Sequence, residues 1–136
     1  MNSPTATALA AFIAWALALL VLMEAIRSKM VLTGEVAANG FVPDNANLSP
    51  FMQRLARAHA NCLEGLPIFG GLMVVALVAG RQSVTDSLAY VFLFARLVQS
   101  VIHLLSVSPT AVTLRFTAFA VQMGIAVWWS YRLLAG

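Results

Sequence analysis

The sequence predicts an all-α protein: a bundle of four membrane-spanning helices that run up, down, up and down. Three observations predict it. Hydrophobic residues make up 61% of the 136-residue chain and charged residues 10%, against about 25% charged in an average soluble domain. Four long stretches carry almost no charge, and a Ser-Pro pair stands at the start of three helices. Eight basic and five acidic side chains are too few for the polar exterior of a soluble fold of this size, so lipid must cover most of the outside. A spanning helix with its connection takes roughly 25–35 residues. Four of them use up the chain, which reads as a single transmembrane domain over residues 1–136.

The first helix is placed at about 4–30. Ser3 caps it, Pro4 occupies a position whose N–H would have had no partner, and Ala6 to Met23 carries no charge. No basic residue precedes this apolar run, and it is about as long as a full span, so it reads as a retained helix and not as a secretory signal. A loop rich in Gly, Asn and Pro follows. The second helix is placed at about 49–79, from Ser49-Pro50 to Gly80, with a kink expected at Pro67, whose ring presses on the carbonyl of Leu63. The third is placed at about 84–107, starting between Ser83 and Asp86, and the fourth at about 109–134, after Ser108-Pro109. The last two links are short, which forces antiparallel neighbours.

The net charge is +3, but the basic residues form no cluster or run, which argues against nucleic acid as a partner. They report topology instead. Arg27, Lys29, Arg54, Arg57 and Arg115 gather on the side of the long loop, while Arg81 and Arg132 lie on the other. By the positive-inside rule the long loop is cytoplasmic and both termini face outward. A single cysteine, Cys62, excludes an internal disulfide framework and a multi-cysteine metal site, and no metal is expected.

An ionised side chain at the middle of a spanning helix costs about 2.5–3.5 kcal/mol on insertion scales, so such residues face a bundle interior or a polar cavity. At 100° per residue, Arg54, Arg57, Asn61 and Glu64 fall at about 0°, −60°, −20° and −80°, one stripe along the cytoplasmic half of helix 2. Arg96, Gln99, Ser100 and His103 make a second stripe on helix 3 at about 0°, −60°, 40° and −20°. Helix 1 adds Glu24 and Arg27, and helix 4 adds Arg115 with Gln122 two turns further along the same face. Arg27, the helix 2 stripe, His103 and Arg115 share one leaflet and are expected to line one pocket. Arginine forks take carboxylates and Glu64 takes a cation. The pocket therefore suits a small anion that also carries an amine, such as a zwitterionic peptide, beside a lipid-soluble second substrate. A structural reading stands next to this one: Glu64 neutralises Arg96 or Arg57 inside the bundle, and Arg54 snorkels at the interface.

The run Arg54-Leu-Ala-Arg57-Ala-His59-Ala60-Asn61-Cys62-Leu-Glu64, followed by Pro67, resembles the signature of the membrane-associated proteins in eicosanoid and glutathione metabolism, the MAPEG family. The four-helix layout, the long first loop, Arg96 within helix 3 and Arg115 near the start of helix 4 agree with it. The resemblance covers nearly the whole chain and implies a homotrimer that holds glutathione between neighbouring subunits near the cytoplasmic face. It implies that Arg57, Asn61 and Glu64 contact glutathione, with Arg27 as a further contact. Arg115 matches the arginine beside the glutathione sulfur, and Arg96 the family's structural arginine. His103 stands where many members carry a tyrosine, and is either a hydrogen-bond donor that assists proton transfer or a packed core histidine.

The activity so implied is that of a glutathione transferase or peroxidase acting on lipophilic electrophiles, in a bacterial inner membrane with the termini in the periplasm. The main alternative is a non-catalytic lipid-binding or scaffold protein of the same fold. A small proton-coupled exporter is disfavoured, because basic neighbours keep Glu64 ionised. A haem bundle is disfavoured because His59 points away from the polar stripe that contains His103.

Overall fold

The computed structural model describes residues 3–136. It contains four long helices: α1 (Pro4–Leu32), α2 (Pro50–Val78), α3 (Ser83–Leu105) and α4 (Pro109–Leu134). No strand occurs among the described residues. The shortest helix has 23 residues, and at 1.5 Å per residue even it is longer than the roughly 30 Å hydrocarbon core of a bilayer. The protein is an integral membrane, multi-pass, all-α four-helix bundle.

The three Ser-Pro starts work as local rules predict. Ser3, Ser49 and Ser108 each accept a hydrogen bond from the backbone N–H three residues on, at 3.1, 3.3 and 3.2 Å. Helix α3 has no side-chain cap of its own; Gln82 precedes it, and it ends at Leu105, two residues earlier than expected, where Ser106 turns to extended backbone. Gly34 and Gly80 both adopt left-handed backbone, φ +77° and +68°. Each lets the next N–H reach back to the helix, Glu35 to Met30 O and Arg81 to Ala76 O, so the exposed carbonyls of α1 and α2 are satisfied.

Pro67 disturbs α2 in a specific form. The helix is α-helical over Pro50–Gly65, π-helical over Leu66–Gly70 and α-helical again over Gly71–Val78. The missing N–H of Pro67 and its ring's demand for space are met by widening one turn. Helix α3 packs against all three others, and Phe92 sits at the centre. Its ring lies 5.5 Å from Phe12 of α1, 5.1 Å from Phe69 of the π turn and 5.9 Å from Trp129 of α4. Outward positions such as Leu17, Phe94, Phe116 and Val127 are exposed and apolar, as lipid-facing residues must be.

The two ends of the bundle differ. The start of α1, the end of α4 and the α2–α3 link share one end, where Asp86 Oδ1 accepts from the Thr5 N–H at 3.0 Å and from its hydroxyl. There Arg81 also donates to the carbonyls of Leu133 and Arg132 at 2.9 and 3.0 Å. The long loop and the α3–α4 link share the opposite end, hereafter the loop end, where Arg54 Nε donates to Leu104 O at 2.8 Å. Arg54 therefore caps the last turn of α3, a more specific role than the snorkelling expected of it.

Candidate functional site

The polar stripes of α2 and α3 face each other, and their middle parts form a relay. Arg96 is 1% exposed, and its Nη1 donates to Asn61 Oδ1 at 2.6 Å. Gln99 Nε2 donates to the same oxygen at 2.9 Å, and Gln122 Nε2 of α4 donates to Gln99 Oε1 at 2.8 Å. The guanidinium lies over the rings of Phe12 and Phe69, 5.3 and 5.6 Å from their centroids, an arrangement that favours a desolvated cation. Gly65 makes room for it, since a Cβ there would sit 3.0 Å from Arg96 Nη2.

The expected pairing of Glu64 with Arg96 or Arg57 is absent. Among the described residues the ion pair is Glu24–Arg27, at 3.1 Å. Asn61 and Glu64 sit less than one turn apart and share a face; the carbonyl of Asn61 takes the guanidinium, and Glu64 turns outward. Glu64 lines a cleft of about 530 Å³ between α2 and α4, together with Asn61, Ile68 and Phe69 on one wall and Phe119, Met123 and Ser130 on the other. The π turn shapes this cleft, because Ile68 and Phe69 belong to it.

Toward the loop end a second group gathers. His103 of α3 is buried, and the charges of Arg57 and Arg115 both fall on its ring. His103 Nε2 and Arg115 Nη1 are buried and have no hydrogen-bond partner. Arg57 is exposed and makes no hydrogen bond or ion pair with any described residue. Three basic side chains from three helices thus converge without a carboxylate bonded to any of them. Trp15, Gln82, Arg96, Gln122 and Trp129 also carry buried polar atoms without a partner; what sets this group apart is that three basic side chains gather in it.

Arg27 does not join them. Its Nε and Nη2 donate to Asn45 Oδ1, Nη2 also reaches Val42 O at 3.2 Å, and the guanidinium lies 5.4 Å from the centre of the Phe41 ring. It organises the long loop. Asn45, which helical phase and motif spacing do not single out, is fully buried with left-handed backbone at φ 56°, and its amide donates to Met52 O at 2.7 Å. An Asn inside a Pro-Asp-Asn run is the one local hint of it, since Asn tolerates this conformation. Of the residues singled out from sequence, the structure therefore brings Arg57, His103 and Arg115 together. It sets Asn61 and Glu64 deeper along α2 and keeps Arg27 on the loop.

Set against known proteins, residues 5–135 match the model of the MAPEG family. No curated relative and no solved structure matches the chain.

Proposed function

The chain belongs to the MAPEG family, and from that premise we propose that it is a membrane-embedded glutathione-dependent transferase or peroxidase acting on lipophilic electrophiles. The observation that carries this reading is the unpaired basic group Arg57, His103 and Arg115, with orphaned nitrogens on His103 and Arg115. Such a group suits an anionic, water-soluble co-substrate entering from the loop end, while the apolar cleft between α2 and α4 is open to a substrate from the bilayer. Glutathione supplies a nucleophilic thiol and two carboxylates. Arg57 and Asn61 hold carboxylate or carbonyl oxygens, Glu64 takes the ammonium, and Arg27 serves as a contact only by leaving Asn45.

A thiol with an ordinary pKa near 8.5 is mostly protonated at neutral pH. The Arg115 guanidinium, partly desolvated, stabilises the sulfur as thiolate, and His103 hydrogen-bonds the ligand or assists proton transfer. In this proposal three copies assemble, each site lies between neighbours, and the loop end is cytoplasmic with the termini in the periplasm of a bacterial inner membrane. The excess of arginine and lysine at the loop end supports that orientation.

The second reading, a non-catalytic lipid-binding or scaffold protein, draws on the same apolar cleft and on His103 where a tyrosine is usual. One experiment separates them. Arg115→Ala should suppress conjugation of a generic electrophile while leaving glutathione binding by titration calorimetry within a few-fold of the parent. Equal conjugation rates in the two proteins would remove the assigned role.

A further inference from the structure

The orientation of the Asn61 amide is a chemical necessity. A guanidinium has donors only, so the group of Asn61 that meets Arg96 Nη1 at 2.6 Å is its carbonyl oxygen. Gln99 approaches that same oxygen at 2.9 Å and must therefore present its NH2. This turns the Gln99 carbonyl toward α4, where Gln122 meets it at 2.8 Å and must also present NH2. The second proton of Gln122 goes to Ala118 O at 3.1 Å, and its own carbonyl is left buried without a partner. One fixed cation thus sets the direction of three amides on three helices. At the other end of the chain of bonds the Asn61 NH2 has no protein partner, and Asn61 lines the cleft.

We infer that Gln99 and Gln122 are positioning residues that hold the Asn61 NH2 toward the cleft, so that the ligand group bound there must be a hydrogen-bond acceptor. Neither glutamine needs to touch the ligand; Gln122 acts from α4 through Gln99. The inference rests on the glutathione reading only for the identity of the ligand. The relay itself is a property of the free protein. Removing Gln99 leaves Asn61 held by Arg96 alone and free to tilt. Removing Gln122 leaves the Gln99 carbonyl buried without its donor, so that Gln99 is held only through Asn61 and is free to shift away from it.

Two measurements on the purified protein in lipid nanodiscs test this. In ligand-free, 15N-labelled protein the Asn61 side-chain signals are identified by their loss in Asn61→Asp. They should shift or broaden in Gln99→Leu and in Gln122→Met, although neither substitution alters Asn61 itself. Unchanged Asn61 signals in both variants would overturn the relay, whatever the protein binds. Glutathione titration is the second measurement. Each glutamine variant should bind roughly three- to tenfold more weakly, the size of one neutral hydrogen bond. In an Asn61→Ala background the same substitutions should change affinity by less than about twofold, because their effect passes through Asn61. Equal losses in both backgrounds would show that the glutamines act by general packing and would overturn the positioning role. If the parent itself binds no glutathione, the functional reading falls while the NMR measurement still decides the relay.

Discussion

The terminal end of the bundle carries few charges and its loop end many, and the two sets differ in how far the chain itself engages them. At the terminal end the charges are engaged within the chain. Asp86 caps the first turn of α1 through Thr5, Arg81 takes two carbonyls at the end of α4, and the Arg132 guanidinium lies 5.5 Å from the centroid of the Trp128 ring. At the loop end Arg27 and Arg54 are engaged in the same way, on the loop and on the last turn of α3. Arg57 and Arg115 are not, and neither is Glu64 in the adjacent cleft. A charged side chain in or near a bilayer is costly. Those that satisfy a helix end are accounted for by the fold, and those that satisfy nothing in the chain point to a ligand or a neighbouring copy. The difference separates architecture from function in a chain with very few charges.

Substitutions at the two ends should therefore have different signatures. The largest expected effect is on catalysis at the open end, where Arg115→Ala should lower the rate of electrophile conjugation by about 10²-fold or more, as losing a fixed electrostatic partner of a developing charge does. The melting temperature should stay near that of the parent, and a matching loss of stability would move Arg115 to the architectural class. Between the ends, Gly65→Ala brings a Cβ to 3.0 Å from both Arg96 Nη2 and the Phe69 ring. It should cost about 1–3 kcal/mol as an overpacked core site and should weaken ligand binding as well, because the relay to Asn61 is pushed aside. At the closed end, Asp86→Ala removes two hydrogen bonds to Thr5 and should cost about 1.5–3 kcal/mol with conjugation per folded molecule unchanged. The smallest effect belongs to Arg81→Ala, about 1 kcal/mol from exposed and partly buried helix-end contacts. Thermal unfolding in detergent, read beside activity, places each variant.

What can be read from sequence follows the range of the forces involved. The helix starts are legible because Ser-Pro capping is local, and the facing polar stripes because helical periodicity is local too. A disturbance of α2 at Pro67 is legible, but its form as a π-helical turn is not encoded by any spacing. The partner of Arg96 is hidden for a similar reason. Asn61 and Glu64 share a face, and the choice between them is made by the gap at Gly65 and by the rings of Phe12 and Phe69, residues from two helices. Helix phase alone allows Arg27 among the ligand contacts. In the free chain an irregular loop returns to engage it, with Asn45 buried beneath, which helix phase does not encode. His103 and Arg115 are legible as candidates from their types and helix faces, and their lack of partners becomes visible only when three helices are in place.

The unpaired basic group at the loop end is, in this account, a glutathione site. Titration calorimetry of the purified protein with glutathione, run on the parent, Arg57→Ala and Asp86→Ala, tests that claim most directly. The account predicts saturable binding by the parent, at least about tenfold weaker binding by Arg57→Ala, the scale of a charge-assisted hydrogen bond, and parental affinity in Asp86→Ala. No heat of binding in the parent, or equal affinity in the parent and Arg57→Ala, would contradict it.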